Sequence, residues 1–314
     1  MGDLLLSMDM LRDDLRCYRM QANVEKVKVS IIVTVYNAEK YIIPCLKSLI
    51  GQTLKDIEII VIDDGSTDNS YSILSVFAEC DKRIKLYRQK NQGISRSRNS
   101  ALKLAKGEFI GFCDADDWID ENYYEKLYFA VKKYSSDVAM SSIVRHRKYK
   151  DKKWLDFKFE KVYSNVADIM KVSKIPQYSY VWNKIYRKET LNILNVEFPE
   201  NRIFEDVYWS SRVIPNMKSL VVVPDVVYHY RTVEDSIVSQ KTLSRIQEER
   251  TAIFDALDFL EKSKIPIFCK VFLEKKKYVN LFGLKLLTIE HYYPDVYLYK
   301  LFGFIKFLKI EWSN

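Results

Sequence analysis

With 314 residues, 48% of them hydrophobic and 29% charged, the chain has enough apolar surface for a large core and is too apolar to be disordered. Its net charge of +8 comes from 50 basic and 42 acidic residues with interleaved signs, which favours an anionic partner but lacks the clustered Arg stripe of a nucleic-acid binder. The five cysteines, Cys17, Cys45, Cys80, Cys113 and Cys269, are scattered and never form a C-x-x-C pair, so they read as reduced thiols of a cytoplasmic protein.

Residues 1–27 are expected as a helical or flexible lead-in. Leu4-Leu5-Leu6 is soon broken by Asp9, Arg12, Asp13 and Asp14, too early for a secretory signal. No stretch approaches the length of a membrane span. A cytoplasmic location follows, with room for contact with the inner face of the plasma membrane.

From residue 28 to about 240 the pattern is that of one α/β domain. Short β-rich runs, Val29 to Val35, Ile57 to Ile62, Ile84 to Tyr87, Phe109 to Cys113 and Val138 to Ile143, alternate with helical stretches near 38–50, 68–79, 95–105 and 121–134. This alternation predicts a mostly parallel, Rossmann-like sheet flanked by helices. The segment 145–200 is irregular, with a strand expected from Tyr178 to Ile185. A short helix starts at Glu205, and two β-like runs follow, Leu220 to Val223 and Val226 to Tyr230. Residues 241–314 read as a helical extension broken at Pro266 and Pro294.

Ligands of open α/β sheets bind beyond the carboxyl ends of the strands. Here those ends carry Thr34-Val35-Tyr36-Asn37, Asp63-Asp64-Gly65-Ser66-Thr67-Asp68 and Asp114-Ala115-Asp116-Asp117. The Asp63/Asp64 segment also has a plain structural reading, a turn followed by a helix cap. The second cluster has less room for one. Three carboxylates within four residues repel each other unless they are solvated or neutralised by a cation, and a hard divalent metal holding a diphosphate is the economical explanation.

In that order and at those spacings, these motifs, with Asn91-Gln92-Gly93 before Arg96, Arg98 and Asn99, then Glu205-Asp206 and Tyr228-His229-Tyr230-Arg231, resemble the family 2 glycosyltransferases of bacterial surface-polysaccharide type, which have the GT-A fold. The resemblance covers about residues 28–235. It implies an inverting transferase that moves a sugar from a nucleotide-sugar, most simply a UDP-sugar, to a hydroxyl of a glycan or lipid-linked acceptor. Thr34, Val35, Tyr36 and Asn37 would line the base pocket, although Pro is more usual where Thr34 stands. Asp64, beside Asp63, would hold the uracil or ribose. Asn91 and Arg98 would face the nucleotide from a helix start, as would Asp114 and Ala115 from their own loop. Asp116 would ligate Mn²⁺ or Mg²⁺ with Asp114, and His229 would complete the metal site. Asp206 would be the general base and Glu205 its orienting partner.

Each assignment has a plainer alternative. A lone His in an aromatic strand is commonly core, and His146 and His291 have no supporting context. Acids in a first helical turn are commonly dipole partners. A dehydrogenase is disfavoured by the missing G-x-G-x-x-G. A nucleotidyltransferase should carry a Gly-rich basic loop where Tyr36-Asn37-Ala38-Glu39 stands, and a sugar-nucleotide binding protein without activity should have lost one of its acids. In the tail, Tyr297, Leu301, Phe304, Ile305, Leu308 and Trp312 fall on one helical face opposite Lys300, Lys306 and Lys309. Such a helix could lie on an anionic membrane, pack on the domain or join a homo-oligomer.

Overall fold

The computed structural model describes residues 11, 15, 26–147, 151–233 and 242–266, and the backbone of 277–281, 284–292, 296–301 and 305–310. Four parallel strands open the domain: β1 (Val29–Val35), β2 (Ile57–Asp63), β3 (Ile84–Arg88) and β4 (Phe109–Phe112). Their spatial order is β3-β2-β1-β4. β1, β2 and β4 are buried along their length save for Thr34 at the exit of β1, as continuous apolar runs covered on both faces should be. The helices α1 (Ile42–Ile50), α2 (Ser70–Cys80) and α3 (Ile94–Leu104) connect them. Because β2 and β4 flank β1 on opposite sides, the chain turns both ways at β1. That switch point opens a crevice at the carboxyl edge.

The second half continues the same sheet. β5 (Trp118–Ile119), α4 (Tyr123–Tyr134) and β6 (Val138–His146) follow β4, and β9 (Lys184–Arg187) inserts antiparallel between β4 and β6. β6 runs parallel to β10 (Leu220–Arg231), whose two ends also pair antiparallel with β8 (Lys161–Tyr163) and β5. β7 (Lys152–Leu155) pairs with the outer end of β6.

The two β-like runs expected near residue 220 are one strand, kept continuous by a register shift between Val223 and Val227, where Asp225 adopts φ 57°. The strand expected from Tyr178 is confined to 184–187. Its aromatic first half is a turn whose rings stack against β10 instead of pairing in the ladder. Two short helices, α5 (Val166–Ser173) and α6 (Lys188–Leu194), fall in the segment that the sequence pattern left irregular. One core cluster runs through both halves and includes Leu11 and Leu15, so these two residues of the lead-in pack on the domain.

α7 (Glu205–Val213) is braced by α8 (Leu243–Lys262). Ala252 and Ala256 of α8 pack on Val207, and Arg212 donates to Asp255 Oδ2 at 3.0 Å. Beyond α8 the helical reading of the extension is corrected. The backbone forms four antiparallel strands, β11 (Lys277–Leu281), β12 (Leu284–Tyr292), β13 (Val296–Leu301) and β14 (Ile305–Ile310), in that order. The expected stripe ran through Gly303, a poor helix residue. The flanking runs Val296-Tyr-Leu-Tyr and Ile305-Lys-Phe-Leu-Lys-Ile are rich in strand formers. Tyr297, Leu301, Ile305 and Leu308 therefore do not share a helical face, and the membrane argument built on that face lapses. Phe304 and Trp312 lie outside the described residues. Among those described, no helix is long and apolar enough to cross a membrane.

Candidate active site at the carboxyl edge of the sheet

The loops leaving β1 and β2 are stitched together. The Asn37 amide donates to Ser66 Oγ at 3.1 Å, the Ala38 amide to Ser70 Oγ at 2.8 Å and the Glu39 amide to Asp68 Oδ2 at 3.1 Å. In return Thr67 N donates to Asn37 Oδ1 and Asn69 N to Glu39 Oε2. The small polar residues after Asp64 thus satisfy backbone donors that the strand ends leave open. Asn37 sits at φ 50°, and Tyr36 beside it is 53% exposed. Thr34 is half-buried, whereas Val35 is buried and its carbonyl accepts from the Asp64 amide at 2.8 Å.

Asp63 and Asp64, expected to face the nucleotide, are both buried. Asp63 is 0% exposed and ion-pairs with Arg88 at 3.1 Å. Asp64 is 4% exposed and accepts from Gln89 Nε2 at 2.7 Å, the Gln92 amide at 2.9 Å and the Gly93 amide at 2.8 Å. A carboxylate holding two amides and a carboxamide is committed to the loop, and Asp64 fixes the 91–93 segment at the start of α3. Gly65 allows this approach: it takes φ 77°, and a Cβ there would lie 2.8 Å from the Asn91 amide nitrogen. Asn91, Gln92 and Gly93 are exposed.

Arg98, expected to face the nucleotide, is held by two carboxylates. Buried on α3, it donates to Asp114 Oδ1 at 3.0 Å and to Glu205 Oε1 at 2.5 Å. One guanidinium thereby joins motifs 16 and 107 residues away, using the two-pronged geometry that suits Arg to paired carboxylates.

The Asp114 amide donates to the Tyr228 hydroxyl at 3.0 Å, while the Asp114 and Asp116 side chains are half-buried and Ala115 is buried between them. Burial, with the Asp114 charge adding to it, pushes the Asp116 carboxyl up to about 6. Asp117 is fully buried, and burial beside Asp116 and Asp114 raises it well above the carboxylate range. Its Oδ1 accepts from the Arg231 amide at 2.7 Å, its Oδ2 has no hydrogen-bond partner, and Arg231 Nε donates to the Asp116 carbonyl at 2.8 Å. Arg231, the last residue of the Tyr228–Arg231 motif, thus shapes this loop.

His229, expected to complete a metal site, has its ring engaged elsewhere. Its Nε2 is 2.9 Å from Asp120 Oδ1 and its Nδ1 is 2.9 Å from His146 Nε2, so both ring nitrogens are engaged. Trp118 stacks flat against it at 5.2 Å, and His146 continues to Asp151 at 3.0 Å. Strand pairing explains the difference: the register sets His229 opposite Trp118 and Val144, with His146 two residues beyond Val144. Asp120 and His146 carried no signal in the sequence for this cluster. Among the described residues, no group of three or more His, Cys, Asp or Glu side chains forms a ready-made metal cage. Asp114 and Asp116 still suit a hard cation whose other ligands are diphosphate oxygens and water, since such ions commonly take only one or two carboxylates from the protein.

α7 presents Glu205 and Asp206 in its first turn, directly after Phe204, a non-glycine residue at φ 63°. Such backbone strain gathers at functional sites. Burial, with the Glu205 charge adding to it against the opposing pull of Arg98, raises the Asp206 carboxyl to about 7. Below it lies Lys184, 1% exposed, whose ammonium burial lowers to about 7 although the Asp206 charge pulls it back. Lys184 donates to the Tyr180 carbonyl at 2.6 Å and to Asn183 Oδ1 at 2.8 Å. A buried Lys carries no sequence signature.

The carboxyl edge therefore carries the exposed loop residues Tyr36, Asn37 and Asn91, the carboxylates of Asp114 and Asp116, and an Arg-clamped acid pair on α7. Residues 30–207 match the family model described as "Glycosyl transferase family 2". Glycosyltransferase GlyA of Streptococcus pneumoniae serotype 4 is 32% identical over 73% of this chain and 34% of its own length. The putative glycosyltransferase EpsH of Bacillus subtilis is 33% identical over 74% of this chain and 68% of its own length. The chain thus spans about a third of GlyA and two thirds of EpsH. The crystal structure of S. aureus TarS 1–349 in complex with UDP-GlcNAc is 25% identical, with a TM-score of 0.62 over 73% of this chain and 66% of that one. On the match of motif order, fold and family model together, the chain belongs to glycosyl transferase family 2 and has its GT-A-like α/β fold.

Proposed function

We propose that the protein transfers a sugar from a UDP-sugar to a hydroxyl of a saccharide or lipid-linked acceptor in bacterial surface-polysaccharide or glycoconjugate synthesis, with inversion and with a divalent metal. The observation that carries this reading is the Arg98 clamp, which holds the Asp114 cluster and the Glu205–Asp206 pair at one crevice edge. The UDP-GlcNAc complex of TarS supports a uridine donor.

In this reading the base and ribose lie between Thr34, Tyr36 and Asn37 and the Asn91–Gly93 loop that Asp64 secures. Asp114 and Asp116 would hold Mn²⁺ or Mg²⁺, which when bound would supply charge stabilisation to the diphosphate. The α3 amino terminus adds partial positive charge near the same phosphates. Asp206 takes the proton of the attacking hydroxyl, and an acid held near 7 is half-ionised at neutral pH, where a general base is most effective. Glu205, fixed by Arg98, keeps Asp206 company as a second negative charge and raises its basicity. Attack from the Asp206 side with departure of UDP from the opposite face of the anomeric carbon is a single displacement, hence inversion.

The test is direct: the full chain is incubated with individual UDP-sugars and Mn²⁺, and UDP release is measured with and without Asp206→Asn. Release from at least one donor, lost in the variant, is expected. No release and no UDP binding under any of these conditions would refute the reading.

A further inference from the structure

Arg98 has a neighbour on α3 whose bonds reach the same stretch of chain. Asn99 lies in the middle of that helix and is 6% exposed. Asn is a weak helix former, and a buried carboxamide must find partners for its polar atoms. Those partners lie 99 residues away: Oδ1 accepts from the Phe198 amide at 2.9 Å, and Nδ2 donates to the Phe198 carbonyl at 3.0 Å. One side chain thereby satisfies both backbone groups of a single buried residue, as a neighbouring strand would.

Phe198 passes this grip on to α7. Its ring, 1% exposed, stacks on Trp209 at 4.8 Å and 5°, and the Trp209 indole donates to the Val196 carbonyl at 2.9 Å. Phe112 of β4 meets the two rings edge-on at 5.8 and 6.0 Å, and the Arg98 guanidinium lies 5.4 Å from the Phe198 ring. Trp209 stands three residues after Asp206, hence on the same side of α7. Moving Phe198 would move Trp209, and with it the turn that carries Asp206.

The backbone between Phe198 and Glu205 is strained. Asn201 at φ 56° and Phe204 at φ 63° both take the left-handed conformation, and such residues persist only where their surroundings over-determine them. Adjacent residues of α3 supply that constraint: Asn99 holds Phe198 at one end of the segment and Arg98 holds Glu205 at the other. Arg96 with Glu200 at 2.7 Å, and Lys103 with Glu197 at 3.2 Å, add exposed ion pairs, which contribute little.

Building on the transferase reading above, we propose that Asn99 is a positioning residue for the base: its two bonds to the Phe198 backbone fix the entry to α7 and, through the Phe198–Trp209 stack, the place of Asp206 at the carboxyl edge. Asn99 acts through α7, so its loss should show in kcat and not in donor affinity. A reacting group displaced by about 1 Å can lose about 100-fold in rate.

The experiment uses the full chain with Mn²⁺ and a UDP-sugar that the wild type turns over; UDP release gives kcat and KM, and calorimetry gives UDP affinity. Asn99→Ala removes both bonds, and Asn99→Ser is the milder variant, with a hydroxyl too short to span the Phe198 amide and carbonyl. Asp137→Ala controls for lost stability. Asp137, 5% exposed at the amino edge of the sheet just before β6, accepts from Arg187 Nε at 3.0 Å, Thr190 Oγ1 at 3.2 Å and the Lys218 amide at 2.9 Å. In both Asn99 variants kcat should fall by about ten- to a hundredfold, while KM and UDP affinity stay within about twofold of wild type. Asp137→Ala should lower the melting temperature and keep its kcat. A kcat loss under about fivefold in a folded Asn99 variant, a parallel loss of UDP affinity, an equal kcat loss in Asp137→Ala, or failure of both Asn99 variants to fold would each overturn the assignment. A wild type that neither binds UDP nor releases it is a separate outcome, which removes the transferase reading and the role of Asn99 with it.

Discussion

Replacing Asp206 with Asn separates its chemical role from its energetic cost. In the folded chain, burial and Glu205 raise this carboxyl from its ordinary 3.8 to about 7. An acid whose folded value lies above its unfolded value loses stability as pH rises. Below about 4 both states are protonated and nothing is lost. Between about 4 and 7 only the unfolded state ionises, and above 7 the full difference applies. At 1.36 kcal/mol per pH unit that difference is roughly 4 kcal/mol at pH 8. Asn mimics the neutral acid, so Asp206→Asn should be more stable than wild type by up to this amount at pH 8 and nearly equal to it at pH 4. Turnover at pH 8 should fall by about two to four orders of magnitude. Urea unfolding at pH 4, 6 and 8, without metal or nucleotide, measures the first effect and UDP release the second. A variant less stable than wild type at pH 8, or a difference that stays flat with pH, would refute the burial argument. Turnover within a few fold would move the base to Glu205.

Calorimetric binding of UDP should require Mn²⁺ or Mg²⁺ and fail in Asp116→Ala. Because burial raises Asp116 to about 6 and a cation needs the ionised form, metal-dependent affinity should climb between pH 5 and 7; equal affinity in EDTA would remove the metal from the site. Arg98→Met should destabilise the fold by about 3–5 kcal/mol by leaving Asp114 and Glu205 unpaired, and adding Glu205→Gln should recover part of that loss in a denaturant series. Gly65→Ala should lower stability by about 1–3 kcal/mol and weaken UDP binding, since its Cβ would meet the Asn91 amide at 2.8 Å; calorimetry and thermal melts check both.

The sequence alone determined the sheet and the edge at which chemistry can occur. Short β-branched runs such as Ile59 to Ile62, alternating with helical stretches at short spacing, fit strands buried on both faces, and polar motifs at three strand ends then share one side of a parallel sheet. It also determined that Glu205 and Asp206 open a helix. Tertiary structure alone decided what each carboxylate does, because that depends on neighbours far away in the chain. Asp64 is held inward by the Gln92 and Gly93 amides, and Arg98 joins Asp114, 16 residues on, to Glu205, 107 residues on. His229 was claimed by Asp120 and His146 through strand register. The tail shows the limit of periodicity itself. The same apolar residues fit a helical stripe or paired strands, and pairing between strands is a non-local choice that a window along the chain does not contain.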